Sequence, residues 1–174
     1  MRRLPENMRG DNIRICIIGL MVAAMLMWGC PAWLHHNGIH IALAHHFFHA
    51  NLFHLAVNCL SIWAVFRKEN RYSWTDIAVP FMCGTIAWFF SSADPVGASN
   101  FLFAIVGYRS PSLKNAWWRS SSTIIFLMTC MAMAFIPGVS FITHIVSFAL
   151  GCLCAGIARL INSIQHDYRR AAHQ

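Results

Sequence analysis

The chain has 174 residues, of which 57% are hydrophobic and 11% are charged, and its formal net charge is +7. A soluble domain of this size carries roughly 25% charged residues, so the composition excludes an ordinary soluble domain and predicts a membrane protein. The length allows one domain without a separate soluble module. The seven cysteines show no CxxC pairing, and their odd number disfavours a disulfide framework. We interpret them as small apolar side chains.

Six apolar segments follow one another along the chain, and each is predicted to be a helix. Crossing a hydrocarbon core of about 30 Å takes about 20 residues, and the fourth segment is far shorter than that. One of its ends should therefore stop inside the protein, in backbone that is buried or lines a watery cavity. The six segments are Ile15–Gly29, Leu52–Phe66, Ile77–Phe90, Gly97–Tyr108, Thr123–Ile136 and Phe141–Ile161.

These segments divide the chain into three parts. Residues 1–14 are predicted to be a cytoplasmic N-terminal segment, residues 15–161 a six-helix transmembrane domain, and residues 162–174 a cytoplasmic basic tail. The first apolar run lacks a small-residue cleavage site with a soluble domain behind it. We therefore interpret it as a retained span and not as a removed signal peptide.

The positions of the cations predict the orientation. All thirteen Lys and Arg residues lie at or beyond the segment ends assigned to one face, and the opposite loops, 30–51, 91–96 and 137–140, contain none. The positive-inside rule then places both termini in the cytoplasm and requires an even number of spans. The positive charge is explained by topology and by contact with anionic lipids, not by binding of nucleic acid. The predicted location is the cytoplasmic membrane of a cell.

Polar residues occur at one depth in the three segments that run from the outer face toward the cytoplasm. His54, Ser99 and His144 each lie a few residues into their segments, very roughly 5 Å below its start at 1.5 Å per residue. Asn58 follows His54 by one turn, on the same face. A structural role is the alternative for each residue, since a helical serine often bonds its own i−4 carbonyl and an asparagine can join two helices. Independent structural residues have no reason to share a depth, so the coincidence favours a functional site.

Three short stretches carry a resemblance to a known family. His54-Leu-Ala-Val-Asn58, Gly97-Ala-Ser99, and His144 followed by Gly151 resemble the signature stretches of the rhomboid intramembrane serine proteases, in the same order and at the outer ends of spans two, four and six. The resemblance covers most of the chain from about His45 to Ile161. It implies an all-α fold, a six-transmembrane-helix rhomboid-like bundle with both termini cytoplasmic.

The resemblance also implies roles for four residues. Ser99 would be the nucleophile and His144 its general base, as a dyad without an acidic third member. The side chains of His54 and Asn58, with the backbone N–H of Ser99, would form the oxyanion hole for the tetrahedral intermediate. No cofactor and no metal ion are expected. The expected partners are single-span membrane proteins cleaved near the outer face, together with membrane lipids.

Other residues would support this site. His45 and His49 resemble additional histidines of the family upstream of the second span, and we assign them to shaping the water-filled approach and to hydrogen-bonding the loop. Gly97 begins the turn before the nucleophile, and Gly151 belongs to a stripe of small residues that allows close helix approach. Phe103 stands where the family commonly has a tyrosine that packs on the catalytic histidine.

The chain also departs from the family pattern. Asn100 stands where the family usually has glycine after the nucleophile, where it could crowd the helix contact or add a hydrogen bond. Ser147 replaces the first glycine of a Gly-x-x-x-Gly pattern after the histidine. The loop after the first span is short and lacks a Trp-Arg pair, although it keeps Trp33. These departures indicate a compact, divergent member.

Two further functions remain open on the sequence. One is a catalytically inactive rhomboid-like protein that binds membrane clients, which Asn100 and the short loop favour slightly. The other is metal binding or transport, because many histidines crowd one outer region without a carboxylate or cysteine set to complete a site. These histidines are His35, His36, His40, His45, His46, His49 and His54.

Overall fold

The computed structural model describes residues 8–29, 38–67, 70–91, 96–109 and 140–171. This part of the chain is mostly helical, with two short strands. In chain order the elements are β1 (Met8–Arg9), α1 (Gly10–Trp28), α2 (Ile39–Ala44), α3 (Leu52–Val65), β2 (Arg71–Tyr72), α4 (Thr75–Trp88), α5 (Ser99–Arg109) and α6 (Phe141–Ala171).

The two strands join the beginning of α1 to the chain that follows α3. They pair antiparallel, with Met8 opposite Tyr72 and Arg9 opposite Arg71. Gly10 packs directly on the backbone carbonyl of Arg67, where a Cβ atom would overlap it. The Tyr72 hydroxyl donates to the carbonyl of Val65 at 3.0 Å, and the Arg109 guanidinium lies over the Tyr72 ring. Cationic residues from three parts of the chain therefore gather at one end of the bundle.

Helix α5 is the centre of the core. It is only 11 residues long, about 16 Å at the rise of an α-helix, and most of its side chains are buried. It packs mainly against α6 and α4. Two glycines permit the close contact with α6, because a Cβ atom on Gly107 would overlap the carbonyl of Phe148 and one on Gly151 would overlap the carbonyl of Ala104.

The outer faces of the helices are apolar and exposed. Leu26 of α1 is 82% exposed, Leu60 of α3 is 71% exposed and Leu160 of α6 is 63% exposed. Large apolar surface of this kind marks contact with another protein or with a membrane. Among the described helices, α1 and α6 are long and apolar enough to cross a membrane by length and composition, and α3 is a shorter apolar helix.

The helices follow the predicted segments with small shifts. The predicted spans one to four correspond to α1, α3, α4 and α5, and the sixth corresponds to α6, which continues as helix to Ala171. The fifth predicted segment, Thr123–Ile136, lies outside the described residues. The sequence did not predict the short helix α2 or the β1–β2 pair. The prediction of a mostly helical protein is confirmed, whereas the six spans and the cytoplasmic termini stay predictions.

Candidate active site

The turn before α5 brings the second and fourth predicted spans into contact. Gly97 has a φ of +108°, a region that residues other than glycine rarely adopt. A Cβ atom on Gly97 would lie 2.8 Å from Cε1 and Nε2 of His54 and 3.2 Å from Nδ2 of Asn58. Glycine is therefore required here both by backbone conformation and by space. The His54 and Asn58 side chains lie against the turn that leads into Ser99.

Ser99 and His144 are in hydrogen-bond contact. Ser99 is the first residue of α5 and His144 lies in the first turn of α6, and Nε2 of His144 is 2.9 Å from Oγ of Ser99. The His144 side chain is buried, and Nδ1 of its ring has no hydrogen-bond partner among the described residues. In the neutral ring with the proton on Nδ1, Nε2 accepts from the serine hydroxyl.

The ring of Phe103 stacks on the ring of His144. The ring centroids are 4.5 Å apart and the planes are inclined by 14°. Phe103 lies one turn after Ser99 on α5, so the helix that carries the serine also supplies the surface on which the imidazole rests. Stacking of this kind restricts rotation of the ring and leaves Nε2 directed at Ser99.

The first turn of α5 offers backbone donors to the site. The first N–H groups of an α-helix have no partner within the helix, and the residue before Ser99 is Ala98, whose side chain has no acceptor to cap them. The N-terminus of a helix also favours negative charge. The backbone N–H of Ser99 is one of these donors.

Helix α3 supplies the two further polar side chains. Asn51 caps the helix by accepting from the backbone N–H of His54 at 2.8 Å, which fixes the helix start. The Asn58 amide donates to the carbonyl of His54 at 3.0 Å. The His49 ring contacts the His54 ring edge to face, with centroids 5.2 Å apart. All eight residues predicted for the site thus lie in described parts of the chain. Gly151 lies in the α5–α6 packing, and the other seven lie at or near the Ser99–His144 contact: His49, His54, Asn58, Gly97, Ser99, Phe103 and His144.

His45 forms hydrogen bonds on both sides of Ser99, as the role in loop hydrogen bonding predicted, but the sequence did not predict that its partner is Asn100. The backbone carbonyl of His45 accepts from the N–H of Gly97 at 2.8 Å, and its ring Nε2 lies 3.4 Å from Nδ2 of Asn100. Burial lowers the pKa of His45 to about 4, so this ring is neutral at pH 7. A polar residue directly after Ser99, at an inward position of the helix, was the sequence signal for this contact.

The structure gives no support to the metal alternative within the residues that it describes. No three of the His, Cys, Asp and Glu residues in those ranges are grouped so as to hold a metal ion. His35 and His36, on which this alternative partly rested, lie outside the described residues. His45 and His46 instead use ring nitrogens in contacts to Ala42 and Thr85.

The fold and the site together define a mostly helical protein in which a half-buried serine at the start of the central helix contacts a buried histidine. The family model for the Rhomboid domain matches residues 26–160, and the chain therefore belongs to the rhomboid family. The family assignment made from three short stretches is thereby confirmed. Rhomboid proteins are membrane proteins and are generally intramembrane serine proteases. A comparison with curated proteins gave no match.

Proposed function

We propose that this chain is an intramembrane serine protease that cleaves single-span membrane proteins near the outer face of the membrane. The observation that supports the proposal most directly is the 2.9 Å contact between Oγ of Ser99 and Nε2 of His144. A serine is a weak nucleophile at its ordinary pKa and needs an adjacent base. The two groups are within the distance that proton transfer requires.

The chemistry follows the usual acyl transfer of a serine hydrolase. Oγ of Ser99 attacks the scissile carbonyl carbon as Nε2 of His144 takes the hydroxyl proton, and His144 then gives that proton to the leaving amine. A water molecule, deprotonated by the same ring, hydrolyses the acyl-enzyme and regenerates Ser99. No carboxylate takes part among the described residues, so the Phe103 ring and helix packing orient the imidazole.

The oxyanion is stabilised by the backbone N–H of Ser99 and by the side chains of His54 and Asn58. The Asn58 amide has two N–H groups, so it can bond the His54 carbonyl with one and the oxyanion with the other. Loss of one such donor typically lowers the rate by about 10²–10³. Replacing His54 or Asn58 should therefore weaken cleavage less than replacing Ser99.

We also propose that the site faces the outer side of the membrane. Arg9, Arg71 and Arg109 lie at the end of the bundle formed by the start of α1, strand β2 and the end of α5. Ser99 begins α5 and so lies at its opposite end. The positive-inside rule assigns the cationic end to the cytoplasm, so the dyad opens toward the outside. Water can enter from that side without crossing the hydrocarbon core.

The test is cleavage of single-span reporter proteins by the purified chain in lipid vesicles. Wild type is compared with Ser99→Ala and His144→Ala, and Ser61→Ala is the matched control because the Ser61 hydroxyl donates to its own i−4 carbonyl, that of Val57, at 2.8 Å. We expect Ser99→Ala and His144→Ala to lower the rate by at least about 10³, with Ser61→Ala close to wild type. A serine-reactive phosphonate should label Ser99.

The second candidate is a rhomboid-like protein that binds membrane clients without cleaving them. Asn100 favours it, because a buried side chain takes up space directly beside the nucleophile. This candidate predicts stable capture of reporter proteins by wild type and by Ser99→Ala alike, with no cleavage and no labelling of Ser99. That result would contradict the protease proposal.

A further inference from the structure

Asn100 directly follows Ser99, and its side chain is 1% exposed. Its Nδ2 lies 3.4 Å from Nε2 of His45. The other ring nitrogen of His45, Nδ1, is 2.6 Å from the carbonyl oxygen of Ala42. A carbonyl only accepts, so Nδ1 carries the ring proton and Nε2 is an acceptor. The Asn100 amide is therefore the donor to His45.

His45 holds the chain on both sides of Ser99. Its backbone carbonyl accepts from the N–H of Gly97 at 2.8 Å, and its ring accepts from Asn100. The ring is itself fully buried and contacts the ring of His46, with centroids 3.8 Å apart and the planes inclined by 39°. A buried ring packed in this way has little freedom to move. Its contacts with Gly97 and Asn100 therefore restrain the turn and the first residues of α5.

A buried asparagine at this position destabilises the fold unless its side chain has a function. Among the described residues nothing donates to its buried Oδ1, and a buried acceptor without a donor lowers the stability of the folded protein. Residues that break local rules in this way are expected at functional sites.

We propose that Asn100 is a positioning residue, which through its contact with His45 fixes the backbone N–H and the hydroxyl of Ser99 for reaction. The proposal rests on the proposed protease function. The new element is a role for Asn100, the residue that stands where the family usually has glycine. Asn100 acts through the backbone and does not itself touch the substrate.

The test combines steady-state kinetics with thermal unfolding in detergent micelles. Asn100→Leu keeps the approximate shape and removes the donor, and Asn100→Ala is the second variant if leucine prevents folding. We expect kcat to fall roughly tenfold, the loss that corresponds to about 1.4 kcal/mol, with KM and the melting temperature close to wild type. A purely structural role would instead lower the melting temperature and leave kcat per folded molecule unchanged.

Two variants of His45 distinguish the role of Nε2 as an acceptor from the role of Nδ1 as a donor. His45→Gln can present an acceptor near the position of Nε2, whereas His45→Asn is too short to do so and can still donate to Ala42. We expect His45→Gln to retain most of kcat and His45→Asn to lose as much as Asn100→Leu. The His45→Asn, Asn100→Leu double variant should be no worse than either single variant. The control is Thr85→Val, which removes the contact between Thr85 and His46 and should leave kcat unchanged.

A second readout is independent of activity. Hydrogen exchange of the backbone amides of residues 96–102 should be faster in Asn100→Leu than in wild type, and unaltered in Thr85→Val. Unaltered exchange in Asn100→Leu overturns the proposal, and so does faster exchange with wild-type kcat. If wild type itself shows no Ser99-dependent cleavage, the protease function fails, and the exchange result still decides whether Asn100 restrains the start of α5.

Discussion

The substitution Gly151→Ala should separate Ser99 from His144 without touching either residue. Gly151 lies two turns below His144 on α6, at the place where this helix contacts α5. A Cβ atom there would lie 2.8 Å from the backbone nitrogen of Tyr108 and still closer to the carbonyl oxygen of Ala104. Both obstacles are helical backbone, which cannot rotate out of the way as a side chain would.

The size of the effect follows from these distances. Non-bonded heavy atoms prefer separations of about 3.5–4.0 Å, so the two helices must move apart by roughly 1 Å. A hydrogen bond of 2.9 Å between Ser99 and His144 would then exceed the usual range. A displacement of about 1 Å can cost about 10²-fold in rate. We expect cleavage by Gly151→Ala to fall by between about 10-fold and 100-fold.

The assay is cleavage of a single-span reporter, normalised to the folded fraction from thermal unfolding. The matched control is Gly156→Ala, on the same helix, since a Cβ atom on Gly156 meets nothing within 4 Å. This variant should keep wild-type activity and gain up to about 1 kcal/mol of helix propensity. Wild-type activity in a folded Gly151→Ala variant would refute the claim that α5–α6 packing sets the dyad distance.

Three further predictions concern other contacts. Replacing Phe103 by leucine should lower kcat several-fold and leave KM unchanged, because the stacked ring that orients His144 is lost; equal kcat in steady-state assays would contradict this. Oxidation by copper phenanthroline should join Cys83 and Cys154, whose sulfur atoms are 3.7 Å apart, and peptide mapping that finds neither in a disulfide would contradict the α4–α6 packing. Burial lowers the pKa of His49 from 6.5 to about 4. As the pH falls from 6.5 to 4, His49 therefore takes up a proton in the unfolded chain but not in the folded one. The free energy of unfolding should fall by up to about 3 kcal/mol over this range. Thermal unfolding across this range should show a weaker pH dependence for His49→Gln, and an identical dependence would refute the assignment.

The sequence predicted the helices well where an apolar run was long and continuous. Leu52–Phe66 and Ile77–Phe90 match α3 and α4 within about two residues at each end. The predicted segment Gly97–Tyr108 matches α5 within two residues at each end. It could be predicted because a helix too short to cross the membrane must end inside the protein, and Gly97 indicated the turn at that end. The short helix α2 was missed because six residues carry too little periodicity to be recognised.

The contacts around His45 could not be read from the sequence for a different reason. His45 and Asn100 are 55 positions apart, and no local pattern connects a loop histidine with the first turn of a distant helix. The same holds for the β1–β2 pair, whose strands have two residues each. The proximity of His54, Ser99 and His144 could be predicted because all three lie near the starts of helices, whose rise per residue is known. The path of a loop follows no such rule.

The absence of an acidic partner for His144 among the described residues has a physical explanation in the rest of the site. In a Ser-His-Asp triad the carboxylate holds the imidazole in the correct tautomer and orientation. A carboxylate at membrane depth is costly unless it is paired or hydrated. Here the Phe103 ring orients the imidazole from α5, and the close α5–α6 contact at Gly107 and Gly151 fixes the distance. In the tautomer with the proton on Nδ1, Nε2 is free to accept the proton of the Ser99 hydroxyl. In the proposed protease, the packing of α5 against α6 would therefore orient the imidazole, as the carboxylate does in a Ser-His-Asp triad.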